Sequence, residues 1–282
     1  MLDVTILING CDKYQDAWEP FIKLLYIQWK DCPYPIVLNT ESIDYEGAYS
    51  ENVTTIHPEE SNMSWSERLR GCLEKIDTEF VLFMIEDYFI QHPVSTEVFE
   101  HALSLMQTDK RIGMAALSYG KTNVKTDGFE DAYFYSRIIN KQNMIWCRIN
   151  LYRKDYLQKL IRNHETVWEF EEFAPYRAKK QPYYIIQQKS SVPECFTFYM
   201  KVEQGYGITR GKWLPKNVEL FEKYGIQINY ERLGFLETNT NKQQNPVQSK
   251  GAVREALYKI KHWIKIKKRK IKKFIRNTKS KF

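Results

Sequence analysis

The sequence lacks most of the short motifs that mark known chemistries. Its five cysteines (Cys11, Cys32, Cys72, Cys147, Cys195) are odd in number and widely spaced, with no C-x-x-C pair. That excludes a zinc framework and a disulfide ladder. Cys72 and Cys147 lie in apolar stretches and read as small buried hydrophobes, and the unpaired set suits a reducing cytosol. No GxxxxGK[ST], GxGxxG or GxSxG pattern occurs, which argues against a P-loop, a dinucleotide fingerprint and a nucleophile elbow. The five histidines are isolated and receive no role. No apolar run approaches the roughly 18 residues of a membrane-spanning helix. The chain runs from Met1 straight into a strand-like segment, without the charged region and cleavage site of a leader. The expectation is a cytoplasmic protein that does not cross the bilayer.

What is present is unevenly placed. Residues 250–282 hold 14 of the 42 Lys and Arg residues and one acid, Glu255; the remainder carries 28 basic and 34 acidic residues. The net charge of +7 therefore belongs wholly to the tail, and the body is mildly acidic. Such asymmetry points to a tail that meets a polyanion. Aromatic content is high, with 19 Tyr, 15 Phe and 7 Trp. Aromatic faces stack on sugar rings and nucleobases, but they also fill cores, so composition leaves the ligand open.

Along the chain, short strands alternate with helices. Strands are predicted over 4–9, 35–40 and 53–56, with a helix carrying Trp18, Phe21, Ile22, Leu25 and Trp29 at helical spacing between the first two. Ser64 and Glu67 form a capping box at the start of the next helix. The unbroken apolar run 80–85 reads as a central strand covered on both faces. A helix over 98–106 and a strand over 112–117 follow. The pattern predicts an α/β fold with a mostly parallel sheet. In the second half, 120–131 reads as loop, 145–149, 183–186 and 197–202 as strands, and 154–162, 168–180 and 215–224 as helices, the last ended by Gly225. Residues 238–249, rich in Asn and Gln, read as a linker. The predicted organisation is a catalytic domain over 1–237 (a nucleotide-binding half over 1–118, an acceptor half over 119–237), the linker, and a basic helix over 250–282.

Chemistry points first to Glu86-Asp87, the acidic pair that closes the central strand. In open α/β sheets ligands bind outside the carboxyl ends of the strands. Two adjacent acids at such a place are costly to bury without a partner, and a hard divalent cation carrying phosphate oxygens would supply one. The competing reading is a strand that has ended, with both acids facing water. A second acidic group, Trp168-Glu169-Phe170-Glu171-Glu172-Phe173, offers a carboxylate for general-base work or, equally, an amphipathic helix with solvated acids. A Gly-rich stretch, Gly205-Tyr206-Gly207-Ile208-Thr209-Arg210-Gly211-Lys212-Trp213, suits a phosphate contact through Arg210 and Lys212, or an ordinary turn.

The order of these features resembles GT-A-type glycosyltransferases of bacterial surface polysaccharide biosynthesis (capsule, O-antigen or similar glycans). A first strand ending at Asn9, a second ending in Asn39-Thr40-Glu41, a Trp65-Ser66-Glu67-Arg68-Leu69 helix and an apolar strand into an acidic pair carry the resemblance, which covers roughly residues 1–235. It implies a GT-A-like, Rossmann-like sheet, a nucleotide-diphosphate sugar donor, most simply a UDP-sugar, and Mg²⁺ or Mn²⁺ held by Asp87 and Glu86. The pattern departs from Asp-x-Asp, with Tyr88 and Phe89 following the pair. The resemblance further implies donor contacts from Asn9, Asp12, Glu41, Arg68, Arg210 and Lys212, and an acceptor-activating base at Glu171, with Glu169 and Glu172 as alternates. Sugar transfer with inversion is the implied reaction. The alternatives are another nucleotide-diphosphate enzyme, such as a nucleotidyltransferase, or a non-catalytic membrane-surface adaptor.

The tail gives its own signal. Val253, Leu257, Ile260, Ile264, Ile271, Phe274 and Ile275 fall largely on one helical stripe, lysines and arginines cover the rest, and Trp263 suits an interface. This is the composition of an in-plane membrane helix, and each basic residue near anionic lipid is worth about 1 kcal/mol. The expected partners are a nucleotide-sugar donor, a glycan or lipid-linked acceptor and the inner face of the cell membrane. Nucleic acid is not expected, because the body is acidic and shows no nucleic-acid module.

Overall fold

The computed structural model describes residues 3–60, 62–118, 128–137, 145–198 and 207–237. The linker over 238–249, the basic helix over 250–282 and most of the strand expected over 197–202 lie outside the described residues. In chain order the regular elements are β1 (Val4–Asn9), α1 (Trp18–Gln28), β2 (Ile36–Asn39), β3 (Val53–Ile56), α2 (Trp65–Glu74), β4 (Phe80–Ile85), α3 (Thr96–Thr108), β5 (Ile112–Ala116), β6 (Phe134–Arg137), β7 (Asn150–Arg153), α4 (Lys154–Leu160), α5 (Val167–Ala178), β8 (Tyr184–Gln188), β9 (Ile208–Thr209), β10 (Lys212–Trp213) and α6 (Asn217–Lys223).

Eight strands form one sheet in the order β3-β2-β1-β4-β7-β5-β8-β6. β1 pairs in parallel with both β2 and β4, and β2 with β3. β7 is antiparallel to β4 and β5, while β8 is parallel to β5 and antiparallel to β6. Six strands therefore share one direction, and only β7 and β6 oppose it. The fold is α/β, a mostly parallel central sheet flanked by helices.

Side-chain alternation fills both faces. Val4, Ile6 and Ile8 of β1 and Phe80, Leu82 and Met84 of β4 join the core under α1 and α3. Leu7, Val81 and Phe83 turn the other way, into the core beneath α2, α4 and α5. That double cover explains the unbroken apolar runs of β1 and β4. The Ser64–Glu67 capping box forms as expected: Glu67 N donates to Ser64 Oγ at 3.3 Å and Ser64 N to Glu67 Oε2 at 3.0 Å.

Two local expectations are corrected. The strand expected over 145–149 lies further on, at Asn150–Arg153. The Asn150 side-chain amide donates to the carbonyls of Trp146 and Arg148 at 2.9 and 3.2 Å, folding the chain into a turn where a ladder would otherwise continue. β6 was not anticipated; it pairs with β8 at the sheet's edge. Its four residues, Phe-Tyr-Ser-Arg, are too short for periodicity to register.

Candidate active site

The chain leaves β1 through α1 to one side, toward β2, and returns on the other side as β4. The carboxyl ends of β1 and β4 thus bound a topological switch point, the place where open α/β sheets bind ligands. Asn9 stands opposite both Asn39 and Ile85 in the ladders, so the residues after these strands meet at one edge.

Four of the expected donor residues come together there. Asn39 Nδ2 donates to Asn9 Oδ1 at 2.7 Å, and both side chains are buried. Arg68, buried on α2, donates from Nη1 to the Gly10 carbonyl at 3.3 Å and lies 3.4 Å from Glu41 Oε1. Glu41 Oε2 accepts from the Asp12 backbone N at 2.9 Å. The Asp12 carboxylate accepts from Ser42 Oγ at 2.6 Å and from the amides of Glu41, Ser42 and Ile43. Burial alone would raise its pKa, but these donors outweigh it and hold the group below the usual carboxylate range. Asp12 is thus a fastener that joins the turn after β1 to the loop after β2. Beside that loop, a cavity of about 350 Å³ is lined by residues including Trp18, Ile43, Tyr45 and Gly47.

Glu86 and Asp87 close β4 at the same edge. Glu86 is 3% exposed and Asp87 is half-buried. Cys11 Sγ donates to Glu86 Oε1 at 3.7 Å. Burial, then the neighbouring charge of Asp87, pushes the Glu86 carboxyl up to about 8. Burial pushes Asp87 up to about 7, partly offset by the Ile208 amide, which donates to its Oδ2 at 3.3 Å. Neither carboxylate meets a Lys or Arg side chain among the described residues, and no group of three or more metal-ligating side chains occurs among them. Two hard carboxylates without a counter-charge fit a divalent cation that takes its other oxygens from phosphate and water.

These shifts have a pH consequence. Both groups bind protons more tightly in the folded state, so their contribution to stability is present below about pH 4 and is lost as pH rises through about 7 to 8. Metal-free protein is expected to melt at lower temperature at pH 8.5 than at pH 5.5. Glu86→Gln should flatten that difference, as thermal melts across the range would show.

Residues 207–213 form a two-stranded hairpin, with Thr209 paired to Lys212. Arg210 and Gly211 sit at φ 53° and 77°, the left-handed pair that a two-residue hairpin turn requires. The Gly207 amide donates to the Asp87 carbonyl at 2.9 Å. A Cβ on Gly207 would fall 2.6 Å from that carbonyl and 2.2 Å from Phe89 Cε2. Gly207→Ala is expected to destabilise the protein by about 1–3 kcal/mol through overpacking and to weaken ligand binding at Asp87; urea melts and ligand titration test both. Arg210 and Lys212 are exposed on the hairpin; neither is held against Glu86 or Asp87. The tip lies near Lys13, whose Nζ would be 3.3 Å from a Cβ on Gly211.

The 169–172 acids separate by environment. Thr166 and Glu169 make a second capping box: Thr166 N donates to Glu169 Oε2 at 2.8 Å and Glu169 N to Thr166 Oγ1 at 3.3 Å. Glu169 is thereby committed to the start of α5. Glu172 is exposed. Glu171 is half-buried, and its Oε1 accepts from the Cys147 backbone N at 2.7 Å. Burial raises its pKa, against the opposing pull of the Cys147 amide and Arg148. Asn150 pairs with Phe83 near the end of β4, so the turn that leads into β7 and carries Cys147 stands at the carboxyl edge of the sheet. The topology therefore brings Glu171 to the same edge as Glu86 and Asp87. Sequence reasoning missed Cys11, Asn39, Cys147 and Arg148 as neighbours of this site. It also missed the Thr-x-x-Glu signature that reveals the role of Glu169.

No protein-family model matches this sequence, and no curated protein matches it significantly. Among solved structures, the chain is similar to Staphylococcus aureus TarS in complex with UDP, at a TM-score of 0.45 and 12% identity over 66% of this chain and 60% of that one. It is also similar to a cytidylyltransferase from Leptospira borgpetersenii, at a TM-score of 0.43 and 11% identity over 87% of this chain and 100% of that one. A third is a CMP:2-keto-3-deoxy-manno-octonic acid synthetase complexed with CTP, at a TM-score of 0.39 and 13% identity over 66% and 89%. The chain spans about 60% of the length of that TarS chain.

Proposed function

We propose that this protein is an inverting glycosyltransferase that moves a hexose from a nucleotide-diphosphate sugar, most simply a UDP-sugar, to a lipid-linked or growing polysaccharide acceptor. The observation that carries this reading is the meeting of Asn9, Glu41, Arg68, Glu86 and Asp87 at one switch point, with Glu171 on the same edge. The nucleoside occupies the ends of β1 and β2, where Asn9, Glu41 and Arg68 offer donors and acceptors and the cavity beside Trp18 and Tyr45 offers aromatic surface. Asp87 and Glu86 would hold Mg²⁺ or Mn²⁺ beside the donor diphosphate, where such a cation would supply charge neutralisation for the leaving group. Arg210 and Lys212 lie on the hairpin anchored at Asp87 and meet the phosphates from the other side.

In the transfer, the acceptor hydroxyl oxygen forms a bond to the anomeric carbon. The bond from that carbon to the diphosphate oxygen breaks, and its electron pair leaves with the nucleoside diphosphate. The hydroxyl proton passes to Glu171, whose raised pKa improves it as a base near neutral pH. Trp168, 75% exposed on the first turn of α5, offers a flat face to acceptor sugars. No helix among the described residues is long and apolar enough to cross a membrane; residues 250–282 hold the domain at the inner membrane surface by charge and an apolar stripe.

A nucleotidyltransferase on a similar sheet has less support, since only Gly10 and Cys11 stand between β1 and the 3-10 turn Asp12–Ala17, where a Gly-rich loop would be expected. Thermal melts against a panel of nucleoside diphosphates and their sugars, with and without Mn²⁺, test the reading. Stabilisation by one nucleoside diphosphate, of about 2.7 kcal/mol at a hundredfold excess over Kd and dependent on Mn²⁺, is the expected result. No shift with any of them leaves the adaptor.

A further inference from the structure

Two arginines in the second half of the chain, Arg137 and Arg148, have no carboxylate in contact among the described residues. Arg137 ends β6 and stands opposite Ile185 of β8. Strand alternation puts Gln187 on the same face as Ile185. Arg137 Nη1 donates to Gln187 Oε1 at 3.1 Å, and Gln187 Nε2 donates to the Ser118 carbonyl at 2.6 Å, beyond the end of β5. The guanidinium is thus drawn toward the carboxyl edge of the sheet by a side chain itself tied to backbone there. Arg148 enters from the turn before β7, stacked 5.2 Å above the Trp146 ring and next to Cys147, whose amide holds Glu171. Its charge reaches both Arg137 and Glu171.

The Nε atoms of both arginines are buried and have no hydrogen-bond partner among the described residues. No ion pair joins either guanidinium to a carboxylate among the described residues, Glu171 included. Two like charges brought together and partly desolvated cost free energy that the Gln187 oxygen, the Trp146 ring and the more distant Glu171 carboxylate offset only in part. Guanidinium forks donate parallel N–H bonds matched to phosphate oxygens, and a phosphoryl group bears enough oxygens and charge to satisfy two of them at once.

We propose that Arg137 and Arg148 form a phosphate-binding subsite beside Glu171, which takes a phosphoryl group carried by the acceptor. The subsite stands on its own geometry; its assignment to the acceptor rests on the sugar-transfer reading. The acceptor then carries phosphate close to the hydroxyl that Glu171 deprotonates, and the arginines hold that end of it while the donor occupies the ends of β1, β2 and β4.

The test is calorimetric titration of the full chain with inorganic phosphate at constant ionic strength, for the wild type, Arg137→Gln and Arg148→Gln. The basic segment is present in all three, so its diffuse attraction for phosphate cancels. Each variant is expected to weaken phosphate binding at least tenfold while UDP affinity stays the same, and phosphate is expected to bind the wild type with UDP saturating. Unchanged phosphate affinity in both variants overturns the subsite. Displacement of phosphate by UDP overturns the acceptor assignment, since the pair would then serve the donor. If phosphate binds through the pair but UDP does not bind, the subsite stands and the sugar-transfer reading falls. If UDP binds with Mn²⁺ and phosphate ignores the pair, the reverse holds.

Discussion

Asp87→Asn is expected to abolish the Mn²⁺-dependent stabilisation by nucleoside diphosphate and to lower turnover by about 10²–10³-fold, the usual cost of removing one group that stabilises developing charge. The substitution keeps an oxygen to accept from the Ile208 amide, and the Gly207 amide bonds the Asp87 main-chain carbonyl, so the hairpin anchor survives. It also removes a carboxylate whose pKa burial pushes up to about 7. Metal-free Asp87→Asn should therefore melt no lower than the wild type at pH 8 while failing to bind the donor. A drop in both stability and binding would mean that Asp87 is only a structural acid. Calorimetry with UDP and Mn²⁺, set beside melts of the metal-free protein, separates the outcomes.

Glu171→Gln carries the second large effect. A general base contributes about 10²–10⁴-fold, and that loss is expected in kcat/KM with UDP affinity unchanged. Gln keeps an oxygen for the Cys147 amide, so the turn leading into β7 is preserved. The pH profile adds a second reading. Burial raises the pKa of Glu171, so activity should climb as pH rises through a midpoint above the ordinary carboxylate range, and that limb should vanish in the variant. Initial rates of sugar transfer from pH 4 to 9 would show it. Retained activity with an unaltered profile would pass the role to another acid.

How far the sequence announced this arrangement depends on the type of signal. β1 and β4 were legible because a strand covered on both faces must be apolar at every position. The Ser64 cap was legible because its partner stands three residues away in the chain. The acidic pair was legible because charge is out of place at the end of such a strand. What escaped depends on contacts between distant segments. The bonds of Asp12 to the 41–43 loop and of Arg68 to Gly10 join segments about 30 and 58 residues apart, and no local pattern encodes them. Glu171 could not be told from Glu169 and Glu172 by helical spacing, since only the arrival of Cys147 distinguishes it. Glu169 was different: Thr166-Val167-Trp168-Glu169 carries the same capping signature as Ser64-Trp65-Ser66-Glu67 and would have removed one alternate. The apolar alternation of Ile145, Cys147 and Ile149 looked like a strand because burial was read correctly and the hydrogen-bonding role of Asn150 was not.

In the proposed reading, the carboxyl ends of β1, β2 and β4 hold a nucleoside diphosphate through Asp87 and Glu86. A crystal structure of the protein soaked with UDP and Mn²⁺ tests it most directly. The expected result is the metal on Asp87, the diphosphate beside it, and the uracil among Asn9, Glu41 and Arg68. Density for UDP elsewhere, or for a nucleotide at this edge with no metal and no contact to Asp87 or Glu86, would contradict it.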